Sequence, residues 1–250
     1  MVTVSSQSKA NFKPRRGGFT FKQFFVAHDR CAMKVGTDGV LLGAWAPLPA
    51  KGRALDIGCG SGLIALMLAQ RSAQLHIDAV ELDADAAAQA SDNVQACPWP
   101  QRIQVHQQDI HDYVRQHAGV YDLIVSNPPY FEPAVACRDD ARAQARYTGT
   151  LTHEALLACA GQLLREQGVF CVVLPHDIGS AFEAAALQCG WHCAQRVNVS
   201  DRASTPYHRV LLALVRQPQA TVETALAIKQ ADGSYTAQFR RLITDFYLFY

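Results

Sequence analysis

The sequence has no long apolar run and almost no excess charge of either sign. No stretch approaches the ~18 apolar residues of a membrane span, and Met1–Ala10 lack the apolar core of a secretory signal peptide. Twenty-three Lys and Arg against 22 Asp and Glu give a net charge of +1, too even for a nucleic-acid footprint over the whole surface. We therefore expect a cytoplasmic protein whose contacts with nucleic acid come from local basic patches.

Paired cysteines are also missing. The eight cysteines are scattered at positions 31, 59, 97, 137, 159, 171, 189 and 193, and no two of them form a Cys-x-x-Cys pair. A chain of 250 residues buries a full-sized core without disulfides. Cys189 and Cys193 flank His192, a weak hint of a metal site, but no second ligand group follows at zinc-like spacing. We predict free thiols and no metal.

What is present from Gly52 onward is an alternation of short apolar runs and helical patterns, which predicts a parallel sheet with helices on both faces. The loop Ser200–Pro206 is too short for a crossover helix, so the last two strands must pair antiparallel. We therefore predict an α/β fold with seven strands, mostly parallel, and one antiparallel terminal strand. The predicted strands are Arg53–Gly58, His76–Glu81, Ile103–Gln107, Tyr121–Ser126, Val169–Leu174, Cys193–Val199 and Tyr207–Val215.

The chain divides into a basic N-terminal arm and one domain. Residues 1–28 contain five Lys and Arg and no acidic residue, and residues 29–250 are predicted to form a single domain. The core of that domain spans about 52–216, and an extension follows at 218–250, with a small hairpin that we expect at Leu226–Lys229 and Tyr235.

The junction between the first strand and the first helix is rich in glycine. Gly58, Gly60 and Gly62 would let the backbone approach a ligand closely, and the following helix would offer unpaired N–H groups. The spacing is G-x-G-x-G, and Asp56 stands two residues before the first glycine, whereas dinucleotide folds have G-x-G-x-x-G after an apolar residue. A carboxylate there suits a cationic amino-acid group, which favours S-adenosylmethionine over NAD.

Acidic residues also end the second and third predicted strands. Glu81, followed by Leu82, can accept hydrogen bonds from both hydroxyls of a ribose. Asp109 can accept from an adenine amino group while Ile110 packs on the ring. Each could be an ordinary strand end. Together with the glycine loop after the first strand, however, they give three polar strand ends along one sheet edge, which predicts a cofactor site.

The fourth predicted strand ends in Ser126-Asn-Pro-Pro-Tyr-Phe131. Two prolines restrict the backbone so that the Asn127 side chain and the Pro128 carbonyl can both face the cleft. Two adjacent acceptors match the two hydrogens of a planar amino group and turn its lone pair toward an electrophile, while Tyr130 offers a face for stacking. A rigid Asn-Pro turn is the structural alternative. We predict Asn127, Pro128, Pro129 and Tyr130 as catalytic residues, with Asn127 also beside the cofactor.

At these residues the sequence resembles the class I S-adenosylmethionine-dependent methyltransferases of the branch that modifies amino nitrogens. Phe19–Phe25, Met33–Trp45 and Asp245–Leu248 resemble the N-terminal signature and the ending of the bacterial tRNA1(Val) adenine-37 N6-methyltransferases. The resemblance covers about residue 19 to the end. It implies a Rossmann-like fold, S-adenosylmethionine as cofactor and methyl transfer to the N6 of adenine 37 in tRNA1(Val).

The resemblance also implies further site residues. In that family Lys34, Gly36, Thr37 and Asp38 help to shape the cofactor pocket, although Thr37 or Asp38 could simply cap the helix Val40–Trp45. The basic arm of the family helps to hold tRNA, which assigns Lys13, Arg15, Arg16 and Lys22 to RNA binding.

A second basic group has the spacing of one helix face. Its members are Arg138, Arg142 and Arg146, and a solvated face diluted by Asp139 and Asp140 is the alternative. His28, Tyr207 and His208 have no assigned role.

Other functions remain open. A protein glutamine N5-methyltransferase shares the Asn-Pro-Pro-Tyr chemistry but would be expected to carry a helical substrate domain before the cofactor fold, where only about fifty residues stand here. A ribosomal RNA guanine N2-methyltransferase is a second alternative, and a non-catalytic RNA-binding module on a methyltransferase fold is a third. The sequence does not indicate an oligomeric state, and we assume a monomer.

Overall fold

An eight-stranded sheet forms the centre of the protein, in a computed structural model that describes residues 16–129 and 151–249. A separate pair of short strands precedes the sheet, and helices follow most of its strands. In chain order the elements are β1 (Gly18–Thr20), β2 (Phe25–Ala27), α1 (Thr37–Trp45), β3 (Gly52–Ile57), α2 (Leu63–Arg71), β4 (Leu75–Glu81), α3 (Ala84–Gln95), a 3-10 turn (Pro100–Arg102), β5 (Ile103–Gln107), α4 (Ile110–Val114), β6 (Tyr121–Ser126), α5 (His153–Leu163), β7 (Leu164–Pro175), α6 (His176–Gln188), β8 (His192–Arg202), β9 (Tyr207–Val215), β10 (Val222–Lys229) and α7 (Ala237–Ile243).

The strand order is β10-β8-β9-β7-β6-β3-β4-β5. Within the described part of the sheet, β9 alone runs antiparallel to its neighbours β7 and β8, and the other pairs are parallel. The prediction of a mostly parallel sheet, with antiparallel pairing of the last two predicted strands, is confirmed. The carboxyl ends of β3, β4, β5 and β6 therefore meet at one edge of the sheet.

The sheet differs from the predicted one at its far edge. Val222–Lys229 forms an eighth strand that pairs in parallel with β8, so the antiparallel β9 lies inside the sheet and not at its end. At the expected C-terminal hairpin, a bridge joins Lys229 to Tyr235, and the Thr236 N–H donates to the Ile228 carbonyl at 2.9 Å. The Gln230 N–H also donates to the Ser234 carbonyl at 2.7 Å. The strand forms because Leu226 and Ile228 are buried in the core and the Thr221 hydroxyl donates to the Cys193 carbonyl at 2.9 Å.

Two hydrophobic cores lie on the two faces of the sheet. Helices α1, α2, α3 and α7 pack on one face, and α4, α5 and α6 pack on the other. Alternate residues of β3, such as Ala54 and Leu55, belong to opposite cores, as the strand repeat requires. Phe21 and Val26, within the predicted basic arm, are buried in the first core. No helix in residues 16–129 or 151–249 is long and apolar enough to cross a membrane.

Candidate active site

A cavity of about 350 Å³ opens at the carboxyl edge of the sheet. The ends of β3, β4 and β6, the start of α4 and a loop near residue 32 form its walls. The sequence-predicted residues that line it are Gly58, Gly60, Glu81, Leu82, Asp109, Ile110, Asn127, Pro128 and Pro129. The structure thus brings together most of the predicted cofactor residues and three of the four predicted catalytic residues.

The glycine loop between β3 and α2 leaves open space on the side of the cavity. Gly58 and Gly60 have φ values of +70° and +53°, and a Cβ atom on either would meet nothing within 4 Å. Residues other than glycine rarely adopt this backbone conformation, so the turn itself requires glycine at both positions. Gly62 lies deeper, at the N-cap of α2. The loop therefore presents bare backbone to whatever occupies the cavity.

Glu81 fixes the glycine loop to the end of β4. Its side chain is 2% exposed, and its two carboxylate oxygens accept hydrogen bonds from the Gly60 N–H at 2.8 Å and the Asp83 N–H at 2.9 Å. Burial raises the pKa of Glu81 above its ordinary value, against the effect of these two bonds. Each oxygen keeps a second lone pair, so the carboxylate can still accept hydroxyl groups from a ligand.

Asp56 lies beneath the glycine loop and does not line the cavity. It is fully buried, one oxygen accepts from the Ala65 N–H at 3.1 Å, and Oδ1 has no hydrogen-bond partner in the part of the chain described. Burial raises the pKa of Asp56 to about 7. A buried acceptor without a partner is costly, and a positively charged ligand group near it would relieve that cost.

Asp109 and Ile110 stand where β5 leads into α4. The Asp109 carboxylate caps this short helix by accepting from the His111 N–H at 2.8 Å, and Ile110 is 6% exposed. The capping bond orients the Asp109 side chain and leaves its other oxygen available to a ligand. Capping also explains an acidic residue here without any ligand.

A buried polar network holds α4 to the sheet. The Tyr113 and Tyr121 hydroxyls are 2.6 Å apart, and Tyr121 donates to Asp78 at 2.9 Å. Although burial opposes it, hydrogen bonds from His106, Arg53 and Tyr121 lower the pKa of Asp78 to about 2. The network keeps Asp109 and Ile110 in place, and no sequence pattern indicates it because its members lie on separate elements.

Asn127 presents an acceptor beside the glycine loop. Its Oδ1 atom is buried and has no hydrogen-bond partner among residues 16–129 and 151–249. The preceding Ser126 hydroxyl donates to the Ile57 carbonyl at 2.9 Å, which ties the end of β6 to the end of β3. An amide oxygen held at this point can accept a hydrogen from a ligand amino group. Tyr130, the fourth predicted catalytic residue, lies outside the described residues.

The residues assigned to the pocket by resemblance lie elsewhere. Lys34, Gly36, Thr37 and Asp38 are absent from the cavity lining, and their role in cofactor binding stays a prediction. The Asp38 carboxylate accepts from Arg209 Nε at 2.9 and 3.0 Å. Capping of α1 by Thr37 or Asp38 is not found, because Gly36 occupies the N-cap without a side-chain bond.

One wall of the cavity was not predicted from the sequence. Cys31, Ala32 and Met33 line it, together with His111, Ala86 of α3 and Leu151 before α5. Burial raises the pKa of Cys31 to about 11, so its thiol stays protonated at neutral pH. No local pattern marks this wall, since its position depends on contacts with α3.

The predicted RNA-binding residues are only partly described. Arg16 is exposed two residues before β1, and the adjacent Gly17 carbonyl accepts from the His28 N–H at 3.2 Å. Lys22 donates from Nζ to the Thr244 carbonyl at 2.5 Å. The other predicted positions, Lys13, Arg15, Arg138, Arg142 and Arg146, fall outside the described residues. The part of the chain that is described shows no cluster of three metal-ligating side chains.

The sequence is similar to those of known methyltransferases. The methyltransferase small domain family matches residues 35–187. A protein of Serratia proteamaculans named tRNA1(Val) (adenine(37)-N6)-methyltransferase is 75% identical, over 100% of this chain and 97% of its own. A protein of the same name from Yersinia pseudotuberculosis is 61% identical over the full length of both chains.

Solved structures share the fold at low sequence identity. A predicted O-methyltransferase of Agrobacterium tumefaciens has a TM-score of 0.66 at 16% identity, and the match covers 84% of this chain and 96% of that one. A glycopeptide N-methyltransferase solved with S-adenosylmethionine has a TM-score of 0.51 at 13% identity, covering 72% and 95%. The predicted Rossmann-like methyltransferase fold is confirmed.

Proposed function

The chain belongs to the family of the tRNA1(Val) (adenine(37)-N6)-methyltransferases, and we propose that it transfers a methyl group from S-adenosylmethionine to the N6 of adenine 37 in tRNA1(Val). The observation that carries this proposal is the Asn127 oxygen, buried without a described partner, in the same cavity as the glycine loop and Glu81. It supports one site that holds both a nucleoside cofactor and an amino group.

The residues of the cavity fit S-adenosylmethionine, whose sulfonium supplies an electrophilic methyl group. Glu81 would accept from the two ribose hydroxyls with its remaining lone pairs, and Asp109 would accept from the adenine amino group beside Ile110. The buried Asp56 carboxylate would balance the positive charge of the amino-acid end. The bare backbone at Gly58 and Gly60 leaves room for close contact.

The protein contributes to the reaction mainly by positioning. Asn127 Oδ1 and the Pro128 carbonyl would accept the two hydrogens of the target amine, so that the nitrogen lone pair points to the methyl carbon. Bound S-adenosylmethionine would supply the methyl carbon for the new N–C bond, and the electron pair of its C–S bond would return to sulfur. The nitrogen becomes acidic only after transfer and then releases its proton to water. Alignment of this kind accounts for a large part of a barrier.

We infer that the basic arm helps to guide RNA to this cavity. In support, Arg16 is exposed, and the carbonyl of its neighbour Gly17 accepts from the N–H of His28 at 3.2 Å, three residues before Cys31–Met33 in the cavity wall. We assign Lys13, Arg15, Arg16 and Lys22 to phosphate contacts. An enzyme with this substrate belongs in the cytoplasm.

Substitution of Asn127 tests the proposed function. Asn127→Ala should lower the single-turnover methylation rate of tRNA1(Val) by about 10²–10³, since the variant lacks one preorganised acceptor for the reacting amine, while cofactor affinity stays near that of the wild type. Asn127→Asp retains an acceptor and should keep far more activity. If Asn127 only begins a turn, both variants will behave alike, and an alanine variant as fast as the wild type refutes the role.

The modified nucleoside identifies the substrate. Mass spectrometry of nucleosides from tRNA1(Val) treated with enzyme and cofactor should show N6-methyladenosine, and its absence from a transcript with guanine at position 37 locates the target. A product of N2-methylguanosine, or methylation of a protein glutamine in place of RNA, would contradict the proposal.

A further inference from the structure

Two buried amide side chains of α3 bind segments far away in the sequence. Gln89 and Asn93 are 2% and 4% exposed, and their spacing of four places them on one face of the helix. An apolar side chain could fill either position by packing alone. Two buried amides therefore indicate that hydrogen bonds are needed at this face.

Asn93 joins the N-terminal segment to the glycine loop. Its Nδ2 donates to the Ala27 carbonyl at 2.8 Å and to the Ser61 carbonyl at 2.9 Å, and its Oδ1 accepts from the Ala27 N–H at 3.0 Å. One side chain thus uses an acceptor and both donor hydrogens on two backbone segments. The end of β2 is held at a defined place beside the loop that contains Gly60 and Gly62.

Gln89 acts on the loop that follows β2. This loop, His28–Val35, is closed by a hydrogen bond from the Val35 N–H to His28 Nδ1 at 3.1 Å. Gln89 Oε1 accepts from the Arg30 N–H at 3.2 Å. Arg30 immediately precedes Cys31–Met33, the residues that line the cavity.

We propose that Gln89 and Asn93 are positioning residues for cofactor binding, because they hold the His28–Val35 loop where it completes the wall of the cavity. Neither lines the cavity, so both act through the segments they bind. Asn93 binds the backbone of Ala27 and Ser61, and Gln89 accepts from the N–H of Arg30 and, at 3.5 Å, from its Nε. The inference rests on the assignment of the cavity to S-adenosylmethionine and is independent of the RNA that accepts the methyl group.

The test compares apolar and acceptor-bearing variants of Gln89. Gln89→Leu and the unbranched Gln89→Met retain bulk but remove the acceptor for Arg30, so the Kd for S-adenosylmethionine, measured by calorimetry, should rise about tenfold. The KM for the cofactor should rise with it, whereas kcat at saturating cofactor and the Kd for tRNA should stay unchanged. Gln89→Glu keeps an acceptor oxygen, so its Kd for S-adenosylmethionine should stay within about twofold of the wild-type value.

A matched control separates this role from the neighbouring ion pair. Arg30 also pairs with the exposed Asp92, and Asp92→Asn removes that pair while leaving the bond to Gln89. Surface pairs contribute little, so this variant should bind the cofactor as the wild type does.

Three results would overturn the inference. They are an unchanged cofactor Kd in both apolar variants, a fall in kcat at saturating cofactor with no change in Kd, and a glutamate variant as weak as the apolar ones. A wild-type protein that does not bind S-adenosylmethionine would refute the proposed function itself, whereas normal wild-type binding with unaffected variants refutes the positioning role alone.

Discussion

Replacing Glu81 by glutamine tests whether one carboxylate both shapes the glycine loop and binds the cofactor. In the structure its two oxygens accept from the Gly60 and Asp83 N–H groups at 2.8 and 2.9 Å. Glutamine has the same shape but only one acceptor oxygen. In Glu81→Gln, one of these two N–H groups would face an NH₂ donor.

The expected loss is larger for binding than for folding. An unpaired buried N–H costs about 1–3 kcal/mol, and a hydrogen bond to a charged group contributes about 1.5–3 kcal/mol. Burial of the charged Glu81 carboxylate is unfavourable, and this raises its pKa. A neutral glutamine avoids that cost, which offsets part of the stability lost with the hydrogen bond. We expect the free energy of unfolding to fall by about 1 kcal/mol and the cofactor Kd to rise roughly 10–100-fold.

Calorimetry with S-adenosylmethionine and denaturant unfolding measure the two quantities. Asp85→Asn is the matched control, because Asp85 is exposed at the start of α3 and loses the same charge without a bond to the loop. An unchanged Kd for S-adenosylmethionine in Glu81→Gln would show that Glu81 does not bind the cofactor. Equal losses of stability and affinity would show that Glu81 supports only the loop.

The edge of the sheet that carries the site could be predicted because its signals are local. Apolar runs located the strands, and in a parallel sheet the carboxyl ends of neighbouring strands meet. Glu81, Asp109 and Asn127 lie at or just after three such ends and line one cavity. Their individual roles in binding and catalysis stay predictions.

The remaining parts depend on contacts between distant segments. Leu226–Lys229 was expected to form a small hairpin with Tyr235. The sequence did not predict that Val222–Lys229 also pairs with β8, which offers a free edge beside buried positions for Leu226 and Ile228. Gln89 and Asn93 look like surface residues in the alanine-rich sequence of α3, since the segment that buries them lies about sixty residues earlier. Periodicity within a helix does not reveal such a partner.

Two further predictions concern charge. Deleting residues 1–16 should weaken tRNA binding. It should also reduce the slope of log K against log salt concentration by roughly 0.7–0.9 for each phosphate that the arm neutralises. An unchanged slope in binding titrations would show that the arm does not contact the RNA. The second prediction is for Asp56, whose pKa of about 7 lies above the ordinary 3.8. As pH rises from about 4 to about 7, the unfolded chain releases this proton and the folded protein retains it, so folding loses up to about 4 kcal/mol. Asp56→Asn should remove that loss, and the stability difference between variant and wild type, measured by denaturant unfolding, should grow across this range. A cationic cofactor group near Asp56 favours its ionised form, so wild-type affinity should increase through pH ~7 and that of Asp56→Asn should not. Parallel pH profiles for the two proteins, in both stability and cofactor affinity, would show that Asp56 is already ionised in the folded protein.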